Sequence, residues 1–129
     1  MRLHLTILIS IMLVLFGCSS DSGGDNKLPP GMHTVKYEVY TSTQDTTIVY
    51  RDEIGNDQEI TNVNTHDKPW IYTFTAAGGT HLYLYAKLLG DGVDTVYVTI
   101  YVDHLEGFQE HSYGQGVSAS RTYDIPLTD

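Results

Sequence analysis

Cys18 is the only thiol in this 129-residue chain, and its neighbours give it a particular chemistry. It closes the stretch Leu15-Phe16-Gly17-Cys18 at the end of an apolar run and is followed by Ser19 and Ser20. That is the pattern of a bacterial lipobox, in which the peptide is cut before the cysteine and the cysteine is acylated. Upstream, Met1-Arg2-Leu3-His4 is a short positively charged start, and Leu5 to Phe16 is apolar apart from Thr6 and Ser10. A run of that length falls short of the ~20 residues a spanning helix needs, but it suits the core of a signal peptide. Two or more acyl chains on the processed cysteine hold stably, at about 0.8 kcal/mol per buried methylene.

The next residues able to do chemistry are ten tyrosines. Tyr83 and Tyr85 alternate with Leu82 and Leu84, and Tyr97 and Tyr101 lie opposite Val96, Val98 and Ile100. A short turn joins the two stretches, so the spacing predicts a hairpin that carries Tyr83, Tyr85, Tyr97 and Tyr101 on one outer surface. Such a surface suits a sugar ring or a partner protein, because a tyrosine offers a large apolar ring at low entropy cost and keeps a hydroxyl for hydrogen bonding. The same rings would also stabilise an exposed sheet simply as cross-strand pairs.

Other constellations are weaker. Asp91-Gly92-Val93-Asp94 places carboxylates on a turn, but the spacing is not that of a calcium-binding EF-hand loop, and Asp103 falls a strand length away. Solvated turn carboxylates are the plainer expectation. His33, His66, His81, His104 and His111 are scattered without the helical spacing of a zinc site; only His104 and His111, helped by Glu106 or Glu110, could meet across a turn. Gly116-Val117-Ser118-Ala119-Ser120 lacks the glycine pattern of a nucleophile elbow, and Gly114-x-Gly116 opens no helix. No catalytic residue, metal ligand or cofactor is therefore assigned. Removing residues 1–17 takes away Arg2 and leaves six Lys and Arg against sixteen Asp and Glu, a net charge of −10 with His neutral. That balance argues against nucleic acid and against a basic lipid-headgroup patch.

The elements that must position these residues read as strands. Ser19 to Gly31 is rich in Ser, Gly, Asp and Pro and reads as a tether with no core of its own. The organisation is then a signal peptide over 1–17, a lipidated cysteine and tether over 18–31, and one domain over 32–129. From His33 the chain alternates apolar and polar residues. Val35, Tyr37 and Val39 share a face, then Ile48 and Tyr50, then Trp70, Tyr72 and Phe74. Gln58 to Val63 is a weaker strand, Leu82, Leu84 and Ala86 mark another, Thr95 to Asp103 is the clearest, and Val117 to Tyr123 is the last. Gly55-Asn56 supplies the positive-φ positions of a hairpin turn, and Phe108 to Ser112 stays unassigned. Pro69 can stand only at a strand start or edge, and Trp70 after it is expected to anchor the core. No window offers an amphipathic helix. The pattern is all-β: an antiparallel β-sandwich of about seven strands.

In order and spacing these strands resemble the MmpS-like transport accessory family of small envelope domains. The pieces that carry the resemblance are Val35-Lys36-Tyr37-Glu38-Val39, Ile48-Val49-Tyr50, Lys68-Pro69-Trp70, Val98-Thr99-Ile100-Tyr101-Val102-Asp103 and Ser112-Tyr113-Gly114, across residues 33–121. The resemblance implies an immunoglobulin-like sandwich and a place beside exporters of the resistance-nodulation-division class. Departures are a lipobox in place of a membrane span, no cysteine pair in the domain, and a longer turn after Asp103. The expectation is a lipid-anchored, non-enzymatic accessory or binding module of a bacterial cell envelope, facing the periplasm or the exterior, with a membrane transporter or envelope protein as partner. The alternative is an independent carbohydrate- or metal-binding lipoprotein.

Overall fold

The computed structural model describes residues 27–105 and 107–127. The expected signal peptide, Cys18 and most of the expected tether lie outside the described residues, as does Glu106. Eight strands form: β1 (Met32–Thr41), β2 (Thr46–Arg51), β3 (Asp57–Val63), β4 (Trp70–Ala77), β5 (His81–Leu88), β6 (Val93–Val102), β7 (Phe108–Gln115) and β8 (Ser118–Asp124). There is no α-helix among the described residues. The strands pair antiparallel in two sheets, ordered β4-β1-β6-β7 and β3-β2-β5-β8. The fold is an antiparallel β-sandwich.

The strand beyond the expected seven is β7, which takes in the unassigned Phe108 to Ser112 and runs on through Tyr113 to Gln115, where the sequence suggests a loop. Its alternation is masked because Gln109, Glu110 and His111 are all exposed, so it carries no apolar face of its own. Its pairing with β6, from Val93↔Gln115 to Ile100↔Phe108, makes it a strand.

Alternation places the core. Val35, Tyr37 and Val39 of β1, Ile48 of β2, Leu82 and Leu84 of β5, and Val96, Val98 and Ile100 of β6 are fully buried between the sheets. Tyr37 sits among Tyr50, Tyr72 and Phe74, with ring centroids 5.2–6.4 Å away. Its hydroxyl donates to the Arg51 carbonyl at 2.9 Å, so the buried oxygen is not left unpaired. Burial pushes its ionisation well above the ordinary tyrosine range. Trp70 is half-buried against this cluster, 5.1 Å from Tyr50 and 6.1 Å from Tyr72, as expected of a core anchor at a strand start.

Two turns differ from the sequence expectation. Between β2 and β3 only Gly55 takes positive φ (86°), and Asn56 does not. The Gly55 N–H donates to the Asp52 carbonyl and the Asp52 N–H to the Asn56 carbonyl, which is a three-residue loop ending in a left-handed glycine rather than a two-residue Gly-Asn turn. The buried Asp52 carboxylate accepts the N–H groups of Ile54 and Asn56 and the Gln58 side-chain amide. After β6, Asp103 and His104 both take positive φ (55° and 58°), and the Leu105 N–H closes onto the Val102 carbonyl at 3.1 Å, a type I′ turn.

The larger correction concerns β5 and β6. Their short connection is not a hairpin: β5 lies between β2 and β8 in one sheet, β6 between β1 and β7 in the other. The connection crosses between the sheets beside the β1–β2 crossover. Gln44 ties the two together, donating to the Gly92 carbonyl and accepting from the Gly90 N–H, while the Leu89 N–H reaches the Asp45 carbonyl.

Candidate functional site

That crossing divides the four tyrosines. Tyr83 and Tyr85 stand on the outer face of the β3-β2-β5-β8 sheet, Tyr97 and Tyr101 on the outer face of the other sheet, with the core between them. The single four-tyrosine surface expected from the sequence is two surfaces on opposite sides of the molecule.

Around Tyr83 and Tyr85 the neighbours are Val49 opposite Tyr85 on one side and Ser120 and Thr122 on the other, with the Arg51–Asp57 ion pair near Tyr83. Both rings are half-buried.

The other face holds the stronger arrangement. In the β1–β6–β7 register Tyr40 stands opposite Tyr97, and Tyr97 opposite His111. The three rings form a row across three strands, with centroids 6.2 Å apart for Tyr40 and Tyr97 and 5.5 Å for Tyr97 and His111. One step along the strands lies a polar row: Glu38 opposite Thr99, and Thr99 opposite Gln109, whose amide donates to the Thr99 hydroxyl at 3.3 Å. Between the rows is a shallow depression of about 290 Å³, lined by Glu38, Tyr40, Ser42, Tyr97, Thr99 and Gln109. Tyr113, 73% exposed, extends the aromatic row along β7.

Tyr101 shares this face but is already engaged. The Lys36 ammonium sits 4.1 Å from its ring centroid, and Lys36 also pairs with Glu38 at 3.6 Å. On another side the backbone of Gly107 presses close: a Cβ there would come within 2.7 Å of the Tyr101 ring and 2.5 Å of the Thr99 methyl. Tyr97 is therefore the half of the expected pair that joins a site. Tyr40, Glu38, Gln109 and the aromatic role of His111 were missed. Their signal is strand register: β1–β6 brings in Tyr40 and Glu38 from far along the chain, and β6–β7 brings in Gln109 and His111.

Of the acidic residues read from the sequence, Asp94 and Asp103 have structural work rather than being freely solvated. Asp94 is 4% exposed, and its carboxylate accepts the N–H groups of Ser42, Thr43, Gln44 and Thr95. Burial would raise its pKa, but those donors outweigh it and hold the carboxyl below its usual range. Asp91 is exposed. Asp103 accepts from His33 Nδ1 at 2.6 Å and from the Thr34 N–H, and the His33 contact, with the N–H, lowers its pKa against burial. Beside this pair is a small apolar cleft of about 210 Å³, lined by Val102, Leu105, Phe108, Tyr123 and Ile125 among others.

The histidines are dispersed. His33 binds Asp103, His66 lies near Asp45 and Asp67, His81 contacts Asp124, and His111 stacks on Tyr97. His104 stays in the β6–β7 turn while His111 stands well along β7, so the suggested meeting of the two does not occur. No group of three His, Cys, Asp or Glu side chains able to hold a metal ion occurs among the described residues. Chemically, the Tyr40–Tyr97–His111 face can stack on a planar or ring-shaped apolar surface and hydrogen-bond beside it.

A scan against protein-family models finds no match to this chain, and a search of curated proteins finds none either.

Proposed function

We propose that this chain is a non-enzymatic binding module of a bacterial cell envelope, held to a membrane through acylated Cys18, with the Tyr40–Tyr97–His111 face as its contact surface. The observation that carries the reading is the pairing of an aromatic row with the polar row Glu38–Thr99–Gln109 across one shallow depression. Aromatic rings and a few placed polar groups are the composition of recognition surfaces. The lipobox and the tether put such a surface within reach of other envelope components.

Kinship with the MmpS-like accessory family, and service to an export complex, is the preferred form of this proposal. In favour of an immunoglobulin-like plan, β4 lies beside β1, and β2, β5 and β8 are consecutive neighbours, like the B–E pair and the C–F–G run of that plan. The β6–β7 hairpin departs from it, entering between the counterparts of F and G and occupying the far side of β1. The test is in-cell crosslinking of the lipidated protein from a photoreactive residue at Tyr97. Capture of a permease or periplasmic adaptor supports the accessory role, and abundant, intact lipoprotein with no transport component captured rejects it.

A second reading, an independent carbohydrate binder, is favoured by the same depression, where Glu38, Ser42 and Gln109 supply acceptors and donors at the edge of the Tyr97 ring. It requires saturable binding of soluble oligosaccharides, weakened at least tenfold by Tyr97→Ala and unchanged by Tyr83→Ala.

A further inference from the structure

Four strands lie at sheet edges: β4 and β7 in one sheet, β3 and β8 in the other. An edge strand presents unpaired N–H and C=O groups, and proteins blunt such edges with charges, bulges or cover. Three of the four are blunted. β3 carries Asp57 and Glu59 and is irregular, with a register shift against β2 and positive φ at Asn62. β7 and β8 lie against each other across the sandwich, joined by the Arg121–Glu110 ion pair at 2.9 Å and by Phe108 stacked 4.2 Å from Tyr123.

β4 is different. Its sequence, Trp-Ile-Tyr-Thr-Phe-Thr-Ala-Ala, contains no charged residue, and its register with β1 is unbroken from Trp70 to Ala77. Two hydrogen bonds fix which backbone groups are free. The Gly78 N–H donates to the Gly31 carbonyl, and the Asp103 N–H to the Thr34 carbonyl. Odd-numbered residues of β1 therefore bond to β4 and even-numbered ones to β6, since antiparallel pairs alternate between bonded and non-bonded. Trp70, Tyr72, Phe74 and Ala76 are spent on β1. Ile71, Thr73 and Thr75 aim their N–H and C=O groups away from the sheet, and their side chains are exposed. The Ala77 carbonyl already accepts from the Thr80 N–H.

We infer that β4 pairs antiparallel with β4 of a second copy of this chain, joining two four-stranded sheets into one continuous eight-stranded sheet. The free residues are symmetric about Thr73. A two-fold axis there sets Thr73 opposite its own copy and Ile71 opposite Thr75, and every free N–H meets a free C=O. An isologous contact of this kind must tolerate its own image. In a chain of net charge −9, β4 is the one edge strand among the described residues without an Asp, Glu, Lys or Arg, whereas β3, β7 and β8 each carry charged side chains. Opposed threonines are a favourable cross-strand pair. Pairing would also place two Tyr40–Tyr97–His111 rows on one extended face, although it does not depend on what those rows bind.

Bonded antiparallel partners have Cα atoms about 5.5 Å apart, within disulfide range. The full chain carrying Thr73→Cys, produced in a bacterial envelope and mildly oxidised, should give a disulfide-linked dimer absent from the parent chain, whose only thiol is Cys18. Glu59→Cys on β3 should give none. Coexpressed, differently tagged Ile71→Cys and Thr75→Cys chains should form a mixed dimer, with little linkage when either is expressed alone. Absence of the Thr73→Cys dimer, equal linkage from Glu59→Cys, or capture of a different protein at Thr73 would each overturn the assignment.

Discussion

Asp94 accepts four backbone N–H groups, three of them from the Ser42–Gln44 loop, which no strand partner satisfies. Asp94→Asn keeps the shape but replaces an ionised acceptor by a neutral amide, and should cost about 1–3 kcal/mol in urea unfolding. The same carboxylate sets an acid limb. Its pKa is lower in the folded chain than in the unfolded one, so its contribution is complete above the ordinary carboxylate range and is lost as pH falls through the depressed value. Stability of the parent protein should therefore drop on acidification below about pH 4, more steeply than that of Asp94→Asn. Sequence could place Asp94 on a turn. It could not show that the turn folds inward over another crossover, because the donors lie some fifty residues away.

Gly107 makes a different residue-scale case. Its missing Cβ is the space into which Thr99 and Tyr101 pack. Gly107→Ala should destabilise by about 1–3 kcal/mol, as overpacking does, and calorimetry would register it as a lower Tm.

At the scale of elements, the type I′ turn after β6 uses two non-glycine residues at positive φ, Asp103 and His104. Asp103 is retained by its bonds to His33 and Thr34, but His104 makes no hydrogen bond that would hold it there among the described residues. His104→Gly should stabilise the fold by up to about 1 kcal/mol, the cost of holding an L-residue in the left-handed region less the entropy that glycine adds to the unfolded chain. A lower urea midpoint for the variant would contradict this reading of the turn. The strands themselves were legible wherever one face is apolar, as in Val35-Tyr37-Val39 and Val96-Val98-Ile100. β7 was not, since both its faces are largely polar and its identity as a strand comes from β6.

For the whole molecule, the two sheets close over one core in which Tyr37 and Ile100 are fully buried. Ile100→Ala should cost about 2–5 kcal/mol, from lost burial plus the cavity left behind. The envelope location is a prediction of the same scale. If the proposed acylation of Cys18 is the anchor, the parent protein should incorporate a fatty-acid label and fractionate with membranes, and Cys18→Ala should abolish the label.

The sequence by itself determined the buried face of the strands that have an apolar side, the positions of most turns and the class of fold, because alternation reports burial and burial is local to each strand. The lipobox proposal at Cys18 also rests on sequence alone, since it is read from adjacent residues. Only the tertiary structure decided which strands are neighbours. Leu82-Leu84 and Val96-Val98 would satisfy a hairpin and a sheet crossing equally well, since both arrangements bury the same side chains. What separates the two is the satisfaction of distant backbone groups by Asp94 and Gln44, and the register of β6 against β1. That choice sends Tyr83 and Tyr85 to one side of the molecule and aligns Tyr97 with Tyr40 and His111 on the other.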